Sequence, residues 1–380
     1  MAELRHRPER MLVTGGAGFI GSNFVHLLLA ADAELRIVNL DLLTYAGSLQ
    51  NLAGLESNPR YHFVRGDVCN AGLVEYLLRE HQIDTVVHFA AESHVDRSID
   101  GPAAFVRTNV NGTFTMLDAV RLYWQSDDWR GRKAQRTTRF HHISTDEVFG
   151  TLGPDDPAFS ETTPYAPNSP YSAAKAGADH LVRAYHHTYK LPVVTTNCSN
   201  NYGPRQHGEK LLPTVIRSCF LEKPIPVYGN GSNIRDWLYV DDHCRGIQCV
   251  LERGELGSSY NIGGKSERSN LELVKLVCRV MDELHPRLGA RPHEQLIQFV
   301  TDRPGHDWRY AIDCSKLEGE LGFVPQETLE SGLRRTVSWY LNDPAWRAGV
   351  AAGTVSGARL GLSGAAGGSV GSGALPGGRK

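Results

Sequence analysis

The sequence has no Cys-x-x-Cys pair and no uncharged apolar run of the roughly 18 residues that a membrane helix needs. Its seven cysteines are scattered and odd in number, which argues against a disulfide framework and against a zinc knuckle. No metal site is therefore predicted, and the cysteines are expected to be reduced and mostly buried. Residues 1–10 are charged rather than signal-like, so we expect a cytoplasmic protein.

The chain also lacks an excess of charge of either sign. Lys and Arg number 40 against 42 Asp and Glu, and neither sign forms long blocks. Capture of nucleic acid or of an anionic membrane is not expected from such a balance. A hydrophobic content of 41% with 22% charged residues excludes global disorder, and 380 residues suffice for one large domain and a smaller one.

Short β-branched runs alternate with helical patterns along the first half of the chain. The runs occupy residues 11–14, 35–40, 61–64, 83–89, 140–143 and 193–196. This rhythm predicts an α/β fold, with a Rossmann-type doubly wound parallel sheet mainly in residues 10–196. Beyond Asn197 the rhythm weakens, and helices are predicted at about 269–284 and 328–342. Residues 197–346 should mainly form a smaller α/β substrate-binding domain, with some exchange of strands or helices between the two parts.

The last stretch of the chain, residues 349–380, is rich in Gly, Ala and Ser and has almost no large side chains. Ordering it would cost backbone entropy without burying apolar surface. We predict a disordered tail whose removal leaves activity and melting temperature nearly unchanged.

A glycine-rich turn follows the first predicted strand. Gly15, Gly18 and Gly21 suit a tight turn, close approach to a pyrophosphate, and close packing of helix on strand. Asp41 ends the second strand, where a carboxylate can accept hydrogen bonds from ribose hydroxyls. No Arg follows Asp41 directly, so the pattern favours NAD over NADP. Asp67 and Val68, after the third strand, are placed near the adenine.

Two further motifs carry chemistry. Tyr171 and Lys175 stand one helical turn apart, so the ammonium is expected to favour the phenolate of a base at the hydride site. Thr145, Asp146 and Glu147 end another strand, at the sheet edge where ligands bind in such folds.

These motifs together resemble the dTDP-glucose 4,6-dehydratases of the extended short-chain dehydrogenase/reductase family. The resemblance rests on TGGAGFIG, AAESHVDRS (90–98), STDEVFG (144–150), YSAAK, NCSNNYGP (197–204), NIRDWLYVDDH (233–243), YNIGG (260–264) and DRPGHDWRYAID (302–313). The Thr-Asp-Glu run is the part that distinguishes dehydratases from related epimerases and decarboxylases. The chain departs from the family pattern at Phe149, Gly208 and Trp308.

The resemblance implies a role for each motif. Tyr171 and Lys175 would oxidise C4 of the sugar with NAD, and Thr145 would hydrogen-bond the C4 oxygen. Glu147 would remove the C5 proton while Asp146 protonates the departing C6 hydroxyl. Hydride would return to C6, giving a 4-keto-6-deoxy sugar nucleotide.

The resemblance also implies binding residues and partners. At the cofactor it adds Phe19, Ile20, Ala90 and Thr108. At the sugar nucleotide, dTDP-glucose, it places Ser93, Asn200, Asn201, Lys210, Tyr228, Arg235, Asn270, Arg303 and His306. It further implies a homodimer that packs helices around 102–122 and 169–188. Two other functions stay open: another NAD-dependent sugar-nucleotide epimerase or decarboxylase, and a non-catalytic NAD-binding regulator.

Overall fold

A computed structural model describes residues 3–133, 137–302 and 306–353. The strands in these residues are β1 (Arg10–Thr14), β2 (Arg36–Asp41), β3 (Tyr61–Arg65), β4 (Thr85–His88), β5 (Arg139–Thr145), β6 (Val193–Cys198), β7 (Asn200–Tyr202), β8 (Ile225–Tyr228), β9 (Ile234–Tyr239), β10 (Ser259–Ile262), β11 (Glu267–Ser269) and β12 (Ile297–Val300).

The helices in the same residues are α1 (Phe19–Ala31), α2 (Ala71–Glu80), α3 (Val95–Asp100), α4 (Pro102–Phe105), α5 (Thr113–Trp124), α6 (Asp127–Lys133), α7 (Pro170–Tyr189), α8 (Leu211–Phe220), α9 (Val240–Arg253), α10 (Asn270–Leu284), α11 (Ser315–Leu321), α12 (Leu329–Asn342) and α13 (Pro344–Ala351). A π-helical segment, Val106–Gly112, joins α4 to α5, and short 3₁₀ helices include Asp146–Phe149.

The central layer is a seven-stranded parallel sheet in the order β10-β6-β5-β4-β1-β2-β3. All six predicted strands belong to it, which confirms the Rossmann-type α/β fold. The strands β1, β4, β5 and β6 are almost entirely buried, as expected for a parallel sheet covered on both faces. Their carboxyl ends therefore meet at one edge, where polar residues can face a shared cavity.

The seventh strand, β10, comes from beyond Asn197 and pairs with β6. The helix before it, α9, packs on α1 through apolar residues of one buried cluster. The rest of the C-terminal part forms a three-stranded sheet, β11-β9-β7, and a two-stranded sheet, β12-β8. A separate buried cluster that includes residues of α8, α10 and α12 supports these small sheets.

Local sequence signals fix the helix that carries Tyr171 and Lys175. Ser169 caps α7 with its side chain, which accepts a hydrogen bond from the backbone N–H of Ser172 at 3.0 Å. Pro170 occupies the first helical position, where its missing N–H and fixed φ cost nothing. At the other end, Lys190 adopts a left-handed conformation and stops the helix.

The chain stays ordered beyond Gly349, where the sequence predicts the start of a disordered tail. Helix α13 continues to Ala351, and Val350 is buried against the C-terminal cluster. Asp343 caps this helix by accepting a hydrogen bond from the backbone N–H of Ala345 at 2.9 Å. The predicted start of the tail at residue 349 was therefore wrong by a few residues, because the buried side chain of Val350 stabilises the last turn of α13. Residues 354–380 lie outside the described part. None of the described helices is both long enough and apolar enough to cross a membrane.

Candidate active site

The turn between β1 and α1 approaches a neighbouring strand so closely that glycine is required. Gly15 has a φ of +72°, and a Cβ on it would lie 2.7 Å from the backbone nitrogen of Ala90. A Cβ on Gly21 would lie 2.5 Å from the carbonyl oxygen of Gly15. The absence of side chains at these positions lets a phosphate approach the N-terminus of α1.

Strand β2 holds this turn with two polar side chains. Asp41 accepts hydrogen bonds from the backbone N–H groups of Ala17 at 2.9 Å and Leu43 at 2.8 Å. Asn39 accepts one from the backbone N–H of Gly16 at 3.1 Å. Burial raises the pKa of Asp41, and the two backbone hydrogen bonds offset part of that rise. The carboxylate thus shapes the turn and also forms part of the cavity wall beside it.

One cavity at the carboxyl edge of the sheet brings together all of the predicted cofactor residues. They are Gly15, Gly18, Phe19, Ile20, Gly21, Asp41, Asp67, Val68, Ala90, Thr108, Tyr171 and Lys175. The remaining predicted catalytic residues, Thr145, Asp146 and Glu147, line the same cavity. Residues from the ends of six strands and from α7 therefore surround a single space.

Asp67 lines this cavity after the end of β3 and is held there by two partners. It accepts a hydrogen bond from the backbone N–H of Cys69 at 2.8 Å and pairs with the guanidinium of Arg107. Burial alone would raise the pKa of Asp67, but these partners hold it below its ordinary value. Since Arg107 belongs to the π-helical segment, its ion pair with Asp67 also helps to fix the position of the neighbouring Thr108.

Asp146 is a buried carboxyl group, and one of its two oxygens has no hydrogen-bond partner among the described residues. Thr145 caps the 3₁₀ helix that follows β5, and its hydroxyl lies 3.3 Å from one Asp146 carboxyl oxygen. The other oxygen, Oδ2, is buried and has no hydrogen-bond partner among the described residues. Burial, followed by the charges of Glu147 and Asp236, raises the pKa of Asp146 well above its usual value. The neutral, protonated form is therefore favoured, which is the state a general acid needs.

Tyr171 and Lys175 lie one turn apart on α7, and both are buried. The Lys175 ammonium donates a hydrogen bond to the carbonyl oxygen of Ile143 at 2.7 Å. Burial and the charge of Glu147 raise the pKa of Tyr171 well above its usual value. Both effects oppose the phenolate that Lys175 is predicted to favour.

Four of the predicted substrate residues join this cavity: Ser93, Asn200, Asn201 and Lys210. The ammonium of Lys210 donates to the carbonyl oxygen of Ser93 at 3.2 Å, so two separate loops meet there. The side-chain carbonyl oxygens of Asn200 and Asn201 are buried without a hydrogen-bond partner among the described residues. Unsatisfied buried acceptors are costly, and donors of a bound sugar would satisfy them.

The other predicted substrate residues lie elsewhere. Of the described residues, Tyr228, Arg235, Asn270 and His306 do not line this cavity. The rings of Tyr228 and His306 meet edge to face at 6.2 Å, and Asn270 begins α10. Arg303 lies outside the described residues.

Arg235 is held more tightly than the sequence suggests. Its buried guanidinium donates to the carbonyl oxygen of Asp307 at 2.9 Å and lies over the ring of Tyr310 at 4.2 Å. Backbone carbonyls therefore take up some of the donors that were predicted to face a phosphate. Sequence spacing alone could not place the loop that supplies those carbonyls.

Sequence reasoning missed several polar residues of the cavity. Glu92 and His94 line it, and burial raises the pKa of Glu92. Glu209 and Arg97 do not line the cavity themselves, but Glu209 accepts a hydrogen bond from Arg97 at 2.9 Å and lies 3.6 Å from His94. The motif at 90–98 contained the signal for three of these residues, although only its first and fourth residues were assigned.

The fold, the glycine-rich turn and the Tyr-x-x-x-Lys pair define an extended short-chain dehydrogenase/reductase. The family described as GDP-mannose 4,6 dehydratase matches residues 12–336. A dTDP-glucose 4,6-dehydratase of Xanthomonas campestris pv. campestris is 57% identical over 352 residues, covering 93% of this chain and 99% of that protein. The chain belongs to the GDP-mannose 4,6 dehydratase family and, within it, to the dTDP-glucose 4,6-dehydratases.

Solved structures show the same fold. A dTDP-glucose 4,6-dehydratase from Bacillus anthracis in complex with NAD is 43% identical, with a TM-score of 0.78 over 89% of this chain and 98% of that one. A UDP-glucuronic acid 4-epimerase from Bacillus cereus is 29% identical, with a TM-score of 0.75 over 87% of this chain and 98% of that one. Because an epimerase shares the fold, the chemistry has to be argued from the site.

Proposed function

We propose that this chain is a hydro-lyase that converts dTDP-glucose to dTDP-4-keto-6-deoxyglucose, with NAD as its cofactor. The observation that carries the proposal is Asp146, a buried carboxyl that favours its protonated form and stands beside Glu147 in the cavity that holds Tyr171 and Lys175. A 4-epimerase needs no acid at C6, and a regulator needs neither group. Relatives at 50–57% identity are named for this reaction, which favours it over both alternatives.

The residues of the glycine-rich turn fit NAD. A Cβ at Gly15 would clash with the backbone of Ala90 and a Cβ at Gly21 with the backbone of the turn, while Asp41 offers a carboxylate at the end of β2 for ribose hydroxyls. Asp67, Val68, Ala90 and Thr108 would complete the wall. When bound, NAD supplies an acceptor for the C4 hydride and returns that hydride to C6.

Tyr171 would take the proton of the C4 hydroxyl. Its raised pKa means that it needs a nearby positive charge to act as a base, and Lys175 on the same helix face is one source. Thr145, at the end of β5, would donate a hydrogen bond to the C4 oxygen as it becomes a ketone. This step leaves the C5 proton acidic.

Glu147 and Asp146 would then remove water across C5 and C6. Glu147 takes the C5 proton, and Asp146 gives its proton to the departing C6 hydroxyl. When hydride returns to C6, Glu147 would give a proton back to C5. After elimination Asp146 is a buried carboxylate, which burial disfavours. It therefore regains a proton readily and is ready for another turnover.

The substrate is proposed to bind through two groups of residues. Ser93, Asn200, Asn201 and Lys210 would hold the sugar and the near phosphate from inside the cavity. A second group would hold the rest of the nucleotide: Tyr228, Arg235, Asn270, Arg303 and His306. In this arrangement residues 10–196 mainly bind NAD and residues 197–346 mainly bind the sugar nucleotide.

We also propose that the chain acts in the cytoplasm as a homodimer. Its seven cysteines are free thiols, and five of them are buried. The surface of the π-helical segment and α5 exposes Val106, Phe114 and Leu122 by about half, at a spacing of eight residues that keeps them near one face. Such an apolar stripe suits a two-fold interface, and light scattering should give the mass of two chains.

Turnover on dTDP-, UDP-, GDP- and CDP-glucose, measured side by side, tests the proposed function. The keto sugar product absorbs in the ultraviolet after treatment with alkali, so its formation can be followed directly. We expect product from dTDP-glucose above the other three. A C4-epimerised sugar, or no conversion of any of them, would contradict the proposal.

Replacing Gly15 with alanine should weaken NAD binding. A side chain there is strained by the positive φ, at a cost of about 1–3 kcal/mol, and its Cβ would press on the backbone of Ala90. Gly54→Ala is the matched control, because Gly54 has a φ of +87° but no atom within 4 Å of its Cβ position. Calorimetric titration with NAD should show weaker binding only in the Gly15 variant, and equal affinities in both variants would contradict the account.

A further inference from the structure

Asp179 is a buried carboxylate on α7, the helix that also carries Tyr171 and Lys175. It follows Lys175 by one turn and Tyr171 by two turns of α7, so the three side chains share one helix face. Its side chain is only 4% exposed. The proposed chemistry gives this carboxylate no role.

Three donors from outside the helix converge on Asp179. His142 Nε2 lies 3.0 Å from Oδ1, while the hydroxyls of Ser144 and Tyr165 donate to Oδ2 at 2.7 Å and 2.9 Å. Because a carboxylate can only accept, Nε2 of His142 carries the proton. Burial alone would raise the pKa of Asp179, but the hydrogen bonds from His142 and Ser144 and the charge of Lys175 hold it below its ordinary value. This network keeps a negative charge in the interior of the protein.

Lys175 needs such a charge nearby. Burial lowers the pKa of Lys175, and the charge of Asp179 is the first influence that opposes this fall. From β4, His88 faces the ammonium, and its pKa lies well below the ordinary value because of burial and the charge of His142. From β6, Cys198 faces it, and burial raises the pKa of that thiol to about 12.

The remaining groups around Lys175 do not replace Asp179. Burial, followed by the charge of Lys175, lowers the pKa of His142 on β5, which favours the neutral ring. The phenols of Tyr165, in the loop before α7, and of Tyr171 both have raised pKa values because of burial. None of these neighbours is expected to be an anion at neutral pH, so among the described residues Asp179 is the carboxylate whose charge raises the pKa of the buried ammonium.

We propose that Asp179 is a positioning residue that keeps the buried Lys175 protonated for its work beside Tyr171. The inference rests on the proposed function, because the role of Lys175 is taken from it. Asp179 lies one helical turn from Lys175 in the protein interior, and its carboxylate is held in place by Ser144, His142 and Tyr165. Since Ser144 precedes Thr145, the same network also ties the catalytic strand end to α7.

The pH dependence of kcat distinguishes this role from a packing role. A neighbouring opposite charge shifts a pKa by about 1–3 units, so Asp179→Asn should move the alkaline limb of the profile to lower pH by up to about that much. Asp179→Glu retains the charge and should keep the limb near its native position even if kcat falls. Tyr165→Phe, which removes one hydrogen bond but no charge, should leave both limbs in place.

A second measurement needs no activity. The pKa of Lys175 is lower in the folded than in the unfolded chain, so between the two values the unfolded chain binds more protons and stability rises with pH. Loss of Asp179 should lower the pKa of Lys175 in the folded chain further. The pH range in which stability rises with pH then extends closer to neutral pH. The deficit in melting temperature of Asp179→Asn should therefore shrink as pH rises from about 7.5 to about 9.5. The deficit of Tyr165→Phe should stay constant over that range.

The outcomes separate the two proposals. A shifted alkaline limb together with a pH-dependent deficit supports the role of Asp179. A constant deficit and an unmoved limb would overturn it, even if kcat fell. If the native chain showed no turnover of dTDP-glucose, the proposed function would fail, while the melting measurements would still decide whether Asp179 holds the charge of Lys175.

Discussion

Replacing Asp146 with asparagine should slow formation of the keto sugar by about 10²–10⁴, the usual contribution of a general acid. Asparagine keeps the size of the side chain and can keep the contact with Thr145, but it has no acidic proton to give to the C6 hydroxyl. Oxidation at C4 does not need that proton. Mixing this variant with dTDP-glucose should therefore give a lasting absorbance of reduced cofactor, with little product.

Asp155→Asn serves as the matched control, because Asp155 is an exposed acid a few residues further along the chain. It should leave turnover unchanged. NAD affinity and melting temperature of Asp146→Asn should be no lower than native, because the charged form of this buried carboxyl is already disfavoured. Native turnover in Asp146→Asn would remove the acid from the mechanism.

Replacing Tyr171 with phenylalanine should reduce turnover at least as much, but at an earlier step. The ring packs edge to face on Phe105 at 6.2 Å, and phenylalanine keeps that contact. Without the phenol no group takes the C4 proton, so neither product nor reduced cofactor should accumulate. A general base typically contributes about 10²–10⁴ to the rate.

Tyr185→Phe controls for the loss of a hydroxyl on the same helix. The Tyr185 hydroxyl donates to Asp118 at 3.3 Å, away from the cavity, and its removal should not affect turnover. The two active-site variants thus stall at different steps, which stopped-flow absorbance distinguishes. If Tyr171→Phe accumulated reduced cofactor as Asp146→Asn should, the order of steps would be wrong.

The sequence predicted the elements whose signals are local. The β-branched runs gave the six sheet strands that precede residue 200, and the spacing of Gly15, Gly21 and Asp41 placed a turn against a strand end. Strand β10 was not predicted in this sheet, because its pairing with β6 joins segments about 60 residues apart and depends on tertiary packing. The apolar anchor that extends α13 was missed for the same reason.

The site was predicted less completely than the fold. Tyr171, Lys175, Asp146 and Glu147 meet in one cavity, as their positions at a sheet edge and on one helix face suggested. The protonation of Tyr171 was not predictable from the sequence. Its pKa depends on burial and on the charge of Glu147, which belongs to another element. Asp179 could not be recognised either, since its three donors come from residues that are distant in sequence.

The central claim is that the sugar is oxidised at C4 and reduced at C6 while it stays bound in one active site. The path of the C4 hydrogen tests this claim most directly. Substrate deuterated at C4 and turned over in ordinary water should give product with deuterium at C6. Ordinary substrate in heavy water should gain deuterium at C5, where Glu147 exchanges its proton with solvent, and none at C6. A mixture of labelled and distinguishable unlabelled substrate should show no crossover. Loss of the label to water, or its transfer between sugars, would contradict the internal redox cycle.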